Sequence, residues 1–322
     1  MGTVSEPIDL PRPSRRGRLL RIGAALAVLL ALAGYLVVQY VSGGPGAPRC
    51  VAGSGDATFR MSPEQAENAA TISAVGIAHG MPERAVTIAL ATALQESGLR
   101  NLNHGDRDSL GLFQQRPSQG WGTAEQIMDP VYSAGKFYKH LAEVPGYSRL
   151  PLTVAAQKVQ RSGFPQAYAK HEPDAAVLTA SLTGRESASL TCTVAKNAQP
   201  GDPAQVRAGL TKAFGEGVVP AEQPPGAGHE IAVPVRVTEG TAAAGTDREQ
   251  RGWALAHWAV ARASTLHIAQ VSYAGRVWSA DDSAKGWSKA PASAAVPAST
   301  GRGPGAGSAS DGTQEVRITL AP

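Results

Sequence analysis

The chain has 322 residues, and a content of 43% hydrophobic against 17% charged residues supports a folded core and excludes disorder throughout. The formal net charge is +4, and five arginines among the first 21 residues carry much of it. The remainder of the chain is nearly neutral, so we expect no domain that binds nucleic acid. Two cysteines exclude a zinc-finger array and a disulfide-dense miniprotein.

The N-terminal segment is predicted to be a membrane anchor. Residues 22–38 carry no charge, and about 20 residues at about 1.5 Å each span a hydrocarbon core, so we predict a transmembrane signal-anchor over 22–41. The basic tail, 1–21, would lie in the cytoplasm and the rest of the chain outside the cell membrane. Two alternatives are open: a cleaved signal peptide, since residues 31–33 (ALA) resemble a cleavage site, and a buried core helix.

The predicted location outside the membrane decides how the two cysteines are interpreted. In an oxidising compartment an isolated pair such as Cys50 and Cys192 is expected to form a disulfide. The bond would close a loop around one whole domain and restrict its unfolded state. The alternative is a pair of unrelated free thiols.

The first domain after the anchor, 50–195, is predicted to be helical. Residues 62–65 (SPEQ) have the pattern of an N-cap, a proline at the first helical position and a capping-box glutamine. A second helix should begin at Pro82 and end near Gly98, a suitable C-cap. No alternation of any length that would indicate a strand is present. Further helices are predicted at about 124–142, 151–161 and 171–181.

The second half of the chain changes character. Residues 196–229 are rich in proline and glycine and are predicted to be a linker, and 230–322 is predicted to be a small α+β domain with a low-complexity, disordered insertion at 290–313. Four tryptophans of this domain could bind glycans, but in so small a domain we expect them to build the core. The predicted elements are a strand at 230–237, a helix at 253–263, a hairpin at 267–278 that turns at Ala274-Gly275, and a strand at 316–320.

Glu96 is the candidate for acid–base chemistry. It shares an apolar helix face with Ala89, Thr92 and Ala93, and it lies near the predicted end of its helix, where the macrodipole disfavours a negative charge. Burial and the dipole would both raise the pKa of the carboxyl group, which suits a general acid near neutral pH. The alternative is a solvated glutamate at a helix end.

Two short motifs connect Glu96 with a known family. Glu96-Ser97-Gly98 is followed, after a polar loop, by GLFQ at 111–114, and the pair resembles the lysozyme-like lytic transglycosylase family over about 62–180. The resemblance implies a mainly α, lysozyme-like fold with a groove for a glycan strand, and peptidoglycan as substrate and partner. It implies Glu96 as the catalytic acid and base, and Ser97 as the residue that orients it. The groove segment implied for substrate binding comprises Gly111, Leu112, Phe113 and Gln114, with Gln114 as a sugar contact.

The sequence departs from that family at one place. The family often carries an A-x-Y-N segment whose tyrosine contacts the catalytic glutamate, but the comparable residues here, 155–160, are AAQKVQ. Tyr168 is the candidate substitute in the site, with Tyr132, Tyr138 and Tyr147 as alternatives. Trp121 and Phe113 are candidates for stacking on sugar faces, and core packing is the alternative for both.

The resemblance implies a mechanism with a single carboxyl group. Glu96 would protonate the leaving glycosidic oxygen and then accept the proton of the muramic acid 6-hydroxyl, which attacks the anomeric carbon and gives a 1,6-anhydro product. Glycoside hydrolases usually use two carboxylates, and Asp106, Asp108 and Asp129 are the available partners for a muramidase-type alternative. A non-catalytic glycan-binding or scaffolding protein is the third hypothesis. We predict no cofactor and no metal site, and the sequence identifies no protein partner.

Overall fold

A computed structural model describes residues 22–34, 48–162, 166–194, 199–220, 228–236, 248–290 and 315–322. The chain divides into two compact units, Met1–Ala47 and Pro48–Pro322. The candidate site belongs to the second unit.

The first unit contains helix α1 at 22–34. A helix of these 13 residues rises by about 20 Å, which is less than the hydrocarbon core of about 30 Å. Among the residues that the structure describes, no helix has both the length and the apolar character needed to cross a membrane. The predicted transmembrane helix over 22–41 is therefore corrected; residues 1–21 and 35–41 lie outside the described part.

The second unit contains eight α-helices and eight strands among its described residues. The helices are α2 (Pro63–Ala78), α3 (Glu83–Ser97), α4 (Ala124–Ile127), α5 (Pro130–Ala142), α6 (Leu152–Gln160), α7 (Glu172–Leu182), α8 (Pro203–Phe214) and α9 (Arg248–Ala261). The strands are β1 (Cys50–Ser54), β2 (Ala57–Met61), β3 (Leu190–Cys192), β4 (Glu230–Pro234), β5 (Ile268–Tyr273), β6 (Arg276–Ser279), β7 (Ser288–Lys289) and β8 (Glu315–Leu320).

A small sheet lies in the segment that was predicted to be helical. Strands β1, β2 and β3 pair antiparallel in the order β2-β1-β3. Each strand has only three to five residues, and glycines interrupt the sequence around β1, so the alternation is too short to recognise. The two antiparallel sheets of this unit overturn the prediction of a mainly α fold class.

The small sheet carries the disulfide bond. Cys50 and Cys192 lie opposite each other on β1 and β3, and their sulfurs are bonded. Both side chains are buried. The predicted pairing of the two cysteines is therefore confirmed.

The helices of the first half pack around α2 and α3. Helix α2 begins with the predicted capping box, in which Ser62 and Gln65 each accept a hydrogen bond from the other's backbone N–H. Helix α3 ends at Gly98, which has the left-handed backbone (φ 62°) of a C-cap. Helices α5, α6 and α7 pack against α3. Helix α3, which carries Glu96, is thus packed from several sides.

The segment 196–229 contains helix α8. Val206 and Leu210 on this helix are fully buried, and α8 packs against α2. Residues 195–198 and 221–227 lie outside the described part of the chain.

The C-terminal part is a five-stranded antiparallel sheet with α9 packed on it. The strand order is β4-β8-β5-β6-β7, and the β5–β6 hairpin turns at Ala274 and Gly275, both with positive φ as in a two-residue hairpin loop. Trp253, Trp258 and Trp278 are almost fully buried, which confirms their predicted core role. Helix α9 also packs against α2, α7 and β3. The C-terminal part therefore shares one core with residues 48–194. The predicted insertion, 290–313, lies outside the described residues except for its first residue.

His257 lies where α9 meets the first half of the unit. The side chain is fully buried, with Nδ1 at 2.7 Å from the Ser181 carbonyl oxygen and Nε2 at 3.2 Å from the Ser189 N–H nitrogen. These partners assign the proton to Nδ1, which donates, and leave Nε2 to accept. The rings of Trp253 and Trp287 pack around the imidazole. Burial lowers the pKa of His257 to about 4, so the ring is neutral at pH 7.

Candidate functional site

Glu96 lies on the last turn of α3 with its side chain half-buried. The Tyr168 hydroxyl donates a hydrogen bond to Glu96 Oε1 at 2.6 Å, and the Gln160 side chain also hydrogen bonds to the carboxyl group. Burial raises the pKa of Glu96, while the bonds from Tyr168 and Gln160 lower it; the net shift is upward. An upward shift moves the carboxyl group toward the range in which it can give and take a proton near neutral pH.

Tyr168 reaches Glu96 from the segment between α6 and α7. It precedes a short 3-10 helix, Ala169–His171, and its side chain is fully buried. Burial, and then the bond to Glu96, raise the pKa of the Tyr168 hydroxyl above its ordinary value, so the hydroxyl stays protonated and acts as the donor. The His171 ring bonds to Gln95 Oε1 at 3.1 Å and holds the short helix against α3.

The other candidate tyrosines make different contacts. The Tyr138 hydroxyl donates to the Ile72 carbonyl oxygen, and the Tyr132 hydroxyl donates to the Trp121 carbonyl oxygen. Of the tyrosines considered from the sequence, Tyr168 is the one whose hydroxyl bonds to Glu96 in the described part of the chain.

The segment Gly111–Gln114 forms a tight turn. Leu110 and Gln115, which flank it, exchange two backbone hydrogen bonds of 2.9 Å. Gly111 has a φ of 76°, and a Cβ at this position would come within 2.8 Å of the Ile127 carbonyl oxygen. Both the backbone conformation and the close approach therefore require glycine.

Ser97 and Gln160 tie this turn to the helices around Glu96. The Ser97 hydroxyl lies 2.7 Å from the Leu112 carbonyl oxygen and 3.1 Å from the Ala93 carbonyl oxygen. The Gln160 amide donates to the Phe113 carbonyl oxygen at 2.7 Å. The Ser97 hydroxyl is buried and bonds to backbone carbonyl oxygens, while the Glu96 carboxyl group bonds to Tyr168 and Gln160. Ser97 therefore fits a role in positioning the turn better than the predicted role of orienting Glu96 directly.

The predicted sugar contacts differ in exposure. Leu112 and Phe113 are fully buried, and the Phe113 ring stacks on Phe137 with 4.7 Å between centroids, so the core-packing alternative describes them. Gln114 is half-buried, and its amide lies 3.3 Å from the carbonyl oxygen of Gly111. Trp121 is half-buried and rests against α5. Gln114 and Trp121 keep accessible surface for a ligand.

The three aspartates considered as second carboxylates have other surroundings. Asp108 bonds to Arg116 Nε at 2.7 Å. Asp129 caps the start of α5 and pairs with Lys212 at 2.8 Å. Asp106 is exposed on the loop before Asp108. Asp108 and Asp129 therefore have structural partners of their own.

Two residues of the site were not singled out from the sequence. Gln160 falls within AAQKVQ, the stretch that departs from the family pattern, and its inward amide at the end of α6 gives no local signal. His171 lies three residues after Tyr168 and is equally unremarkable in sequence. Both act through contacts that are formed only when distant segments meet.

One family model matches part of the chain. It is described as VldE, C-terminal domain, and it matches residues 225–299. The described part of that range contains β4, α9 and the strands β5 to β7, so the similarity concerns the C-terminal sheet and not the surroundings of Glu96. Among the curated proteins, no match to the chain is found.

Proposed function

We propose that the chain is an extracytoplasmic bacterial enzyme that cleaves the glycan strands of peptidoglycan, with Glu96 as the general acid and then the general base. The observation that carries this proposal is the half-buried carboxyl group whose pKa is raised by burial while Tyr168 donates to it. The resemblance of the two motifs at Glu96-Ser97 and 111–114 to lytic transglycosylases supports the choice of substrate. The bonded cysteines support a location outside the cytoplasm.

The proposed reaction uses one carboxyl group twice. Protonated Glu96 gives its proton to the glycosidic oxygen as the bond from that oxygen to the anomeric carbon breaks. The resulting carboxylate takes the proton of the muramic acid 6-hydroxyl, whose oxygen bonds to the anomeric carbon and closes a 1,6-anhydro ring. Tyr168 remains protonated, orients the carboxyl group and stabilises the anion between the two steps by a charge-assisted hydrogen bond.

A muramidase-type hydrolase and a binding or scaffolding protein are the two alternative functions. A muramidase-type hydrolase usually needs a second carboxylate, and Asp108 and Asp129 are held by Arg116 and Lys212, so we favour the non-hydrolytic reaction. A binding or scaffolding protein would be favoured if an arginine neutralised Glu96. In the described part of the chain the hydrogen-bond partners of Glu96 are a hydroxyl and an amide instead.

The test uses the whole chain, because α8 and α9 pack against α2. Wild type, Glu96→Gln and the exposed control Glu249→Gln are incubated with peptidoglycan sacculi, and released fragments are identified by mass spectrometry. We expect anhydro fragments from wild type and control, and at least about 100-fold less release from Glu96→Gln, since a general acid contributes about 10²–10⁴-fold.

Two other results would change the proposal. Hydrated reducing ends from wild type would replace the transglycosylase by a muramidase. No release from wild type, with the protein still sedimenting with sacculi, would overturn the enzyme and favour the binding protein.

A further inference from the structure

A pocket of about 550 Å³ opens between the end of α2 and one face of α5. Its lining does not include Glu96, Tyr168 or Gln160, so it is separate from the candidate site. The residues that line it are His79, Met81, Val131, Tyr132, Gly135, Lys136, Tyr138, Lys139 and Ala142.

Gly135 faces open space in this pocket. A Cβ at Gly135 would have only the His79 imidazole within 4 Å, at a closest distance of 3.7 Å. Glycine in a helix interior costs about 1 kcal/mol relative to alanine, and here an alanine would meet no steric obstacle. The glycine leaves space where a larger side chain would close the pocket.

The charged side chains that line the pocket are those of two lysines, and the lining contains no carboxylate. Lys136 and Lys139 form no ion pair with any described residue. Asp129, at the start of α5, pairs with Lys212 instead, at 2.8 Å. The Lys136 ammonium lies 5.4 Å from the centroid of the Tyr132 ring, at the edge of the pocket. Two ammonium groups one turn apart thus face solvent beside an aromatic surface.

We propose that this pocket binds a carboxylate-bearing peptide, namely the stem peptide that peptidoglycan strands carry. The choice of peptide rests on the proposed function. Lys136 and Lys139 can each bond to a carboxylate oxygen, while Tyr132, Val131 and Met81 offer apolar surface to short aliphatic side chains. The pocket would select strands that retain their peptides and hold them on the enzyme.

Binding is measured by calorimetry with the whole chain and three probes: a soluble disaccharide–peptide fragment of peptidoglycan, the same disaccharide without its peptide, and inorganic phosphate. We expect the peptide-bearing fragment to bind at least about tenfold more tightly than the disaccharide without its peptide, and phosphate not to bind measurably. The double variant Lys136→Gln/Lys139→Gln should weaken this binding by at least about tenfold. Gly135→Leu keeps both charges and should weaken it as much, because its side chain fills the pocket.

The matched control is Lys285→Gln/Lys289→Gln, which removes the same charge outside the pocket and should bind as wild type. The proposal is overturned if the lysine variant and Gly135→Leu bind as tightly as wild type, or if the peptide-free disaccharide binds equally well. Tight binding of phosphate without the peptide-bearing fragment would also overturn it, in favour of a phosphate site. Fragment release by wild type tests the proposed function separately, so the two failures are distinguishable.

Discussion

Glu96 and His257 are both titratable side chains whose pKa is shifted by burial, but their surroundings are opposite. His257 is fully enclosed, and both ring nitrogens are occupied by backbone groups. Glu96 is half-buried and has side-chain partners, a tyrosine hydroxyl and an amide. Burial of a titratable side chain therefore does not by itself identify a catalytic group. A shifted group can act on a ligand only where part of it remains accessible and its partners leave it free to exchange a proton.

Glu96 and His257 belong to one compact unit, and removing its disulfide should have the largest effect on the free energy of unfolding. Replacing Cys50 and Cys192 by serine opens a loop of 142 residues and should lower the free energy of unfolding by about 5 kcal/mol in the chain-entropy model. Urea denaturation of the variant, and of reduced wild type, measures the loss. Tryptophan fluorescence, which reports mainly on the C-terminal part, and circular dichroism should give one coincident transition. Two separate transitions would show that Glu96 and His257 lie in parts that unfold independently.

Acid should destabilise the protein through His257. Its pKa is about 4 in the folded state against about 6.5 in an unfolded chain, so on acidification the unfolded state binds the proton first. This contribution is fully retained above about pH 6.5 and should fall by up to about 3 kcal/mol between pH 6.5 and 4.

The variant His257→Gln isolates this effect, because glutamine does not titrate and can still bond to both backbone groups. Urea denaturation at several pH values should show a weaker pH dependence for the variant than for wild type. Equal slopes in the two proteins would contradict the role of His257.

Tyr168→Phe should have the smallest energetic effect of these changes, and the effect should be confined to activity. Loss of the donor removes a bond that lowers the pKa of Glu96, so the pKa rises further and the alkaline limb of the pH–activity profile moves to higher pH. The rate should fall by about tenfold, the equivalent of one hydrogen bond of about 1–2 kcal/mol. Tyr147→Phe is the control and should leave the profile in place. An unchanged profile in Tyr168→Phe would show that the hydrogen bond from Tyr168 does not shift the pKa of Glu96.

The elements that the sequence predicted correctly depend on neighbouring residues. The capping box at 62–65, the C-cap at Gly98 and the hairpin turn at Ala274-Gly275 each need only a few adjacent positions. Strand β1 could not be predicted in this way, because its pairing with β3 joins segments 142 residues apart and each strand is very short. The hydropathy of 22–41 likewise predicted a transmembrane helix, whereas the described helix, 22–34, is too short to cross a membrane.

The residues of the candidate site differ in the same way: some could be predicted from local sequence and others only from the fold. Glu96 and the turn at 111–114 could be found from motifs. Tyr168, 72 residues from Glu96, was one of four candidates until the fold brought it to the carboxyl group. Gln160 had no signal, since a polar residue at a helix end is usually solvated.

The proposed role of Glu96 depends on a pKa that is raised by burial, and titration of its carboxyl group measures that pKa without any substrate. Carbon-13 NMR of the side-chain carboxyl groups is followed against pH in wild type, and the resonance that is missing in Glu96→Gln is assigned to Glu96. We expect a midpoint above the ordinary value of 4.5. A midpoint at or below 4.5 would show that the hydrogen bonds to the carboxylate outweigh its burial, and would contradict Glu96 as the general acid.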